Sequence, residues 1–212
     1  MFSSNPNARA LFSGFILALV ALLCTAGVLL AEQDTAPFIE RNRAQNEQRL
    51  IDTLLPGIKD KAQGAITYKC KFLSDKRIGQ KMKAYIAVDE SGKTLGFISS
   101  YSTNRGYSNP LILIGGIDNN GRLSKIDIQL SRETPGIGDK VERRKGNYLD
   151  QFDNLALHEV NWDVKKFNGD FDYITGATVT SRAIVLATKD FLEVMNSTDF
   201  NSLPDCQPLK GK

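Results

Sequence analysis

The feature that most constrains this 212-residue chain is the uncharged run at residues 10–31, Ala-Leu-Phe-Ser-Gly-Phe-Ile-Leu-Ala-Leu-Val-Ala-Leu-Leu-Cys-Thr-Ala-Gly-Val-Leu-Leu-Ala. At a rise of about 1.5 Å per residue, a helix of this length reaches roughly 33 Å, against a hydrocarbon core of about 30 Å. A cleaved signal peptide has a shorter apolar region, about 7–15 residues, and a small-x-small cleavage site. Here the run ends in Leu29-Leu30-Ala31, and Leu23 precedes Cys24 where a lipoprotein signal needs a small residue. The segment therefore reads as an uncleaved transmembrane helix at 10–31 behind a short tail at 1–9. Arg9 flanks one side, while Glu32, Asp34 and Glu40 come first on the other, with Arg41 and Arg43 farther on. Counting the near basic residues places the tail in the cytoplasm. Everything after residue 32 then lies outside, which for a Gram-negative inner membrane means the periplasm.

Downstream of the anchor the composition is that of a folded protein, 42% hydrophobic and 24% charged. Residues 35–55 are polar with Phe38, Ile39, Leu50, Ile51, Leu54 and Leu55, and they stop at Pro56-Gly57. That is a juxtamembrane helix within a stalk at 32–63, leaving 64–212 as the domain. Strands are expected at 81–88 and 94–100 around the turn Asp89-Glu90-Ser91-Gly92. Two more are expected at 111–117 and 123–130 around Asp118-Asn119-Asn120-Gly121, where Asn-Gly supplies the positive φ of a tight hairpin. A short helix at 146–156, a short strand at 160–165 and a carboxy-terminal helix complete the pattern. Early strands with segregated helices make an α+β domain with an antiparallel sheet and flanking helices. No Gly-x-Gly-x-x-Gly points to a parallel dinucleotide fold.

Several chemistries are excluded. The net charge is only +3, and the densest basic cluster, Arg143-Arg144-Lys145, sits among Asp139, Glu142 and Asp150, so nucleic acid is not the partner. His158 is the one histidine, and no Cys-x-x-Cys occurs, which argues against zinc or haem. No Gly-x-Ser-x-Gly elbow exists to join His158 in a hydrolytic triad. Of the three cysteines, Cys24 lies in the membrane segment. An oxidising compartment then leaves Cys70 and Cys206 as the available pair for a disulfide.

Two stretches carry chemistry. In Asp172-Tyr173-Ile174-Thr175-Gly176-Ala177-Thr178-Val179-Thr180-Ser181-Arg182, hydroxyl residues crowd ahead of Ile184, Ala187, Phe191, Val194 and Met195, which recur at helical spacing. Thr and Ser there cap a helix, whose unpaired N–H groups and dipole also suit a phosphate. An ordinary capped helix accounts for the local pattern equally well. The second stretch, Glu133-Thr134-Pro135-Gly136-Ile137-Gly138-Asp139-Lys140, is a sharp glycine-rich loop that lets backbone approach a flat ligand.

Together the two motifs resemble those of the G subunit of the Rnf (Rsx) ion-translocating electron transport complex, a family related to the C subunit of sodium-pumping NADH:quinone oxidoreductase. Gly106-Tyr107-Ser108, Trp162 and the single amino-terminal span fit the same pattern; Ser131 departs from it, where relatives often carry histidine. The resemblance implies FMN bound covalently by a phosphodiester to Thr178 and installed from FAD by a flavin transferase. It also implies partners among the other membrane subunits of the complex. Around that link, Thr175, Gly176, Ala177, Val179, Thr180 and Ser181 would surround the phosphate, with Arg182 adding charge if turned inward. Glu133, Thr134, Pro135, Gly136, Lys140 and Tyr107 would face the flavin ring. The expected role is a redox subunit coupling NADH/ferredoxin electron transfer to ion movement, with no independent catalytic activity. Two other readings fit the residues: an anchored binding module whose helix cap only looks flavinylated, and a reductase holding flavin noncovalently.

Overall fold

The computed structural model describes residues 6–206, without the side chains of 6–10, 39–41 and 43–52. Most of the expected tail at 1–9 lies outside it, as do the side chains of Ile39, Leu50 and Ile51. The chain divides into two compact units between Glu47 and Gln48.

Helix α1 (Pro6–Leu54) runs through the anchor and most of the expected stalk without a break. The sequence suggests two segments, but 32–36 holds no helix breaker, and Pro37 forfeits only one backbone bond near the middle of a long helix. Within it, Leu11–Phe38 contains an 18-residue stretch with a mean hydropathy of 2.6 and presents its side chains outward, the one segment among the described residues long and apolar enough to span a membrane. The helix stops just ahead of Pro56-Gly57, where Gly57 takes a φ of 72° and leads into the single turn α2 (Ile58–Lys61).

The domain is built on one antiparallel sheet in sequential order: β1 (Thr67–Asp75), β2 (Gly79–Val88), β3 (Thr94–Thr103), β4 (Leu111–Asp118) and β5 (Leu123–Leu130). Strand β1 is additional to the four expected, although Tyr68, Cys70 and Phe72 alternate with Lys69 and Lys71 as an edge strand does. The β2–β3 and β4–β5 turns share one design. Asp89 and Asp118 each accept a bond from the N–H four residues on, at 2.9 Å in both cases, and Gly92 and Gly121 supply the positive φ. Asn120, expected to share that left-handed role, does not take a positive φ, because the loop is longer than a two-residue turn.

Alternation along β2 sends Ala84, Ile86 and Val88 to one face and Tyr85 and Ala87 to the other, each into its own core. The larger core lies under helix α3 (Thr178–Ser197), with Phe152, Trp162 and Phe171 beside it. The smaller gathers Leu54, Leu55 and Ile58 against Cys70, Leu95, Ile98 and Ile114. Gly115 and Gly116 on β4 make both packings possible. A Cβ on Gly115 would meet the Phe191 ring of α3 at 2.6 Å, and one on Gly116 would meet the Leu54 carbonyl oxygen at 2.5 Å. Two adjacent residues of a strand face opposite ways, so one glycine serves each layer. A disulfide joins Cys70 of β1 to Cys206, whose N–H also bonds the Cys70 carbonyl at 3.1 Å; Cys24 is free.

Between β5 and α3 the sequence-based expectations give way. The helix expected at 146–156 is a single five-residue 3₁₀ helix, Tyr148–Phe152, bounded by Gly146 and by Asn154 at φ 61°. The strand expected at 160–165 is only an isolated bridge of Val164 to Phe171. Asn168, at φ 62°, turns the chain straight back, so 163–165 bond to Phe171 rather than to the sheet.

Candidate functional site

Helix α3 begins at Thr178, and its cap is Ala177, which offers no side-chain acceptor, rather than one of the Thr or Ser residues expected to cap it. A turn delivers the chain there. Ala177 N–H bonds the Ile174 carbonyl at 2.8 Å, and Gly176 sits third in that turn at φ 85°, as a type II turn requires. The same device builds the facing loop: Ile137 N–H bonds the Thr134 carbonyl at 3.2 Å, with Pro135 second and Gly136 third at φ 77°.

These two turns and the segment before β4 enclose a cavity of about 560 Å³, within the range of small-molecule and cofactor sites. Its walls are Tyr107, Glu133, Thr134, Ile137, Gly138, Gly176, Ala177, Thr178, Val179 and Thr180. Of the residues singled out from the sequence, Tyr107, Glu133, Thr134, Gly176, Ala177, Thr178, Val179 and Thr180 are thus brought together. Pro135, Gly136, Lys140, Thr175 and Ser181 do not line it. Pro135 and Gly136 shape the turn from outside. Lys140 borders a neighbouring cavity with Tyr148, Gln151 and Asp172. Ser181 is buried and fastens the turn to the helix, its Oγ accepting from Ile174 N–H at 3.1 Å and its carbonyl from the Tyr148 hydroxyl at 3.1 Å. Burial pushes the Tyr148 hydroxyl well above the usual phenol range, so it remains a donor.

Sequence reasoning misses Ile137 and Gly138 as cavity residues. Ile137 is 47% exposed and lines the cavity, and nothing in the local sequence marks it off from an ordinary surface residue of a glycine-rich loop. Gly138 is visible in the sequence only as part of the turn; a Cβ there would press on Glu133 at 2.9 Å.

Charges around the site are paired away from it. Arg182 turns outward, donating to Asp163 from Nε at 2.8 Å and Nη2 at 2.7 Å, and lies 4.2 Å from the Phe167 ring centroid. The Arg182 guanidinium holds the Asp163 carboxyl below the usual carboxylate range. Lys145 does the same for Asp139, whose carboxylate also receives Gly136 N–H at 2.7 Å and braces the turn. No lysine or arginine lines the cavity among the described residues. What faces an anion instead is the head of α3: the N–H groups of Thr178, Val179 and Thr180 have no protein partner among the described residues. The Thr178 hydroxyl, half-buried in the wall, likewise makes no hydrogen bond among the described residues.

Such a cavity fits FMN in two parts. Tyr107, Ile137 and Val179, 75%, 47% and 53% exposed, offer apolar surface to a flat ring. The helix head offers N–H donors and a favourable dipole to one phosphate charge. Fold and site together describe a chain with one apolar helix long enough to span a membrane and an α+β domain whose cavity suits a flat ring joined to a phosphate.

Comparison with known proteins reaches the same class. The FMN-binding domain family matches residues 106–193, and the RnfG N-terminal region matches residues 8–54. The chain is similar to the G subunit of the ion-translocating oxidoreductase complex of Shewanella baltica (strain OS223), with 36% identity over 199 residues and 91% of each chain covered. The corresponding protein of Vibrio cholerae serotype O1 (strain M66-2) is 34% identical over 206 residues, covering 94% of this chain and 97% of that one. Among solved structures, Shewanella oneidensis NqrC is similar at a TM-score of 0.42 and 19% identity, over 58% of this chain and 63% of that one. The chain belongs to the family of G subunits of ion-translocating oxidoreductase complexes.

Proposed function

We propose that this chain is the FMN-bearing electron-carrier subunit of a membrane-bound ion-translocating oxidoreductase complex, with the flavin joined through its phosphate to Thr178. The observation that carries the reading is the Thr178 hydroxyl itself: without a hydrogen bond among the described residues, in the cavity wall, at the head of a twenty-residue helix. A flavin transferase using FAD would form the bond from Thr178 Oγ to phosphorus as the bond to AMP breaks, the hydroxyl proton leaving with AMP. The resulting diester keeps one negative charge, which suits a site that offers N–H donors and, among the described residues, no cation. Bound FMN supplies the redox chemistry, accepting and passing on electrons. The protein's residues do the rest. Tyr107, Ile137 and Val179 would offer apolar surface to the ring, Thr134 and Gly138 would line the loop side, and Gly176 and Ala177 would keep bulk away from the phosphate.

The other subunits of the Rnf/Rsx complex are the proposed partners, reached through the span at 10–31. Relatives named as the G subunit of such a complex support this. We also place the domain on the periplasmic side of the inner membrane; Arg9 ahead of the span and a disulfide between Cys70 and Cys206 favour that side. An uncharged span gives this chain no ion path of its own.

The test is a denaturing gel viewed under ultraviolet light, with protein made in a host that has the transferase. Flavin fluorescence should survive denaturation, intact mass should rise by one FMN less water, and Thr178→Val should lose both. A dark wild-type band would refute the covalent carrier, and yellow protein that releases its flavin on denaturation would favour noncovalent flavin.

A further inference from the structure

All three walls of the cavity meet at one carboxylate. Glu133 is 6% exposed. Its Oε1 accepts the Ser108 N–H at 3.1 Å, and its Oε2 accepts the Thr180 hydroxyl at 2.9 Å. Gly106 and Gly138 close over it, since a Cβ on either would stand 2.9 Å from the Glu133 side chain. The first bond secures the loop that carries Tyr107, and the second secures the first turn of α3, which carries Thr178. Glu133 itself belongs to the strand exit that leads into the Thr134–Ile137 turn. No cation among the described residues pairs with it, so the two donated bonds are what compensate its burial.

We propose that Glu133 is a positioning residue: it latches the Tyr107 loop to the head of α3 and so sets the width of the flavin cavity. The proposal rests on the reading of that cavity as a flavin site, but the latch is a statement about this chain alone. Ser108 N–H lies in a partly exposed loop outside any strand, where only the carboxylate shields it from exchange with water. The Thr180 proton also goes to Glu133, so Thr180 faces the cavity with lone pairs only and accepts rather than donates there.

The test uses full-length protein in detergent. Hydrogen exchange is followed at Ser108, and iodide quenching of the bound flavin is followed in parallel. In Glu133→Ala, Ser108 exchange should accelerate about tenfold or more, as loss of a bond to a charged acceptor implies, and quenching should rise. Glu133→Gln keeps one oxygen for Ser108 N–H and an amide that the rotated Thr180 hydroxyl can accept from, so it should restore Ser108 protection. Thr180→Val removes only the helix-side link: Ser108 should stay protected while the flavin becomes more quenchable. Unchanged Ser108 exchange in Glu133→Ala would overturn the latch, as would a Gln variant no better protected than Ala. A protein without flavin would sink the carrier reading and leave the exchange arm to decide the latch alone.

Discussion

At the scale of single residues, the site depends on where a few backbone groups point. Gly176 holds φ 85°, a region in which an L side chain costs about 1–2 kcal/mol. Space is not the obstacle, because an added Cβ would meet only Ile137 Cγ2, at 3.4 Å. Gly176→Ala should therefore lower stability by about 1 kcal/mol through backbone strain, or else flatten the turn and swing Thr178 off its position. Thermal unfolding of the variant reads the first effect, and the fraction of chains carrying flavin reads the second. Pro135 and Gly136 fulfil the same geometric demand in the opposite loop, which is why they shape the cavity without touching it.

Among the elements, α3 does most of the work. Its apolar face buries Ile184, Phe191, Leu192 and Met195, with Phe191 stacked on Tyr101 at 4.3 Å between centroids. The Tyr101 hydroxyl meets Thr188 at 3.0 Å; Thr188 donates onward to the Ile184 carbonyl, so Tyr101 is the donor. The start of the helix is held separately by Arg182 to Asp163. Because Asp163 titrates lower in the folded protein than its ordinary value of about 3.9, this pair stabilises fully above that pH. Its contribution drains away as the pH falls through the lowered native value. Acid titration should thus show the segment around 163–182 loosening below about pH 4, and Arg182→Met should remove that part of the acid sensitivity. The pH dependence of the melting temperature, compared between the two proteins, measures it.

For the molecule as a whole, the boundary at Glu47–Gln48 separates a membrane-spanning unit from a domain that keeps the last turns of α1. Leu54 and Leu55 are 0% and 4% exposed and cover the second face of the sheet. A fragment starting at Gln48 should be soluble without detergent and fold cooperatively. One starting at Ile58 loses two buried leucines, about 2–5 kcal/mol each by analogy with core truncation, and should melt far lower or precipitate. Circular dichroism melts of the two fragments separate the outcomes.

What the sequence alone determined were the features set by neighbours along the chain. The length of the uncharged run dictates a span, alternation and Asp-to-Gly turns dictate the two hairpins, and Pro-Gly and Thr-Gly mark the two sharp turns of the site. Glu133 and Thr134 stand out as a polar set beside the glycines of their loop, whereas Tyr107 and Thr178 are singled out by the likeness of their motifs to a known family. It read 146–165 poorly, where left-handed Asn154 and Asn168 interrupt patterns that otherwise look regular. Tertiary structure alone decided the rest. Only the fold turns Lys140 and Arg182 away from the cavity, and only the fold brings Ile137 into it. Glu133 meets partners 25 and 47 residues distant, and such contacts follow from sheet order and helix packing rather than from local pattern. Thr178 is marked by its motif, but the cavity around it forms only where three segments distant in the sequence come together.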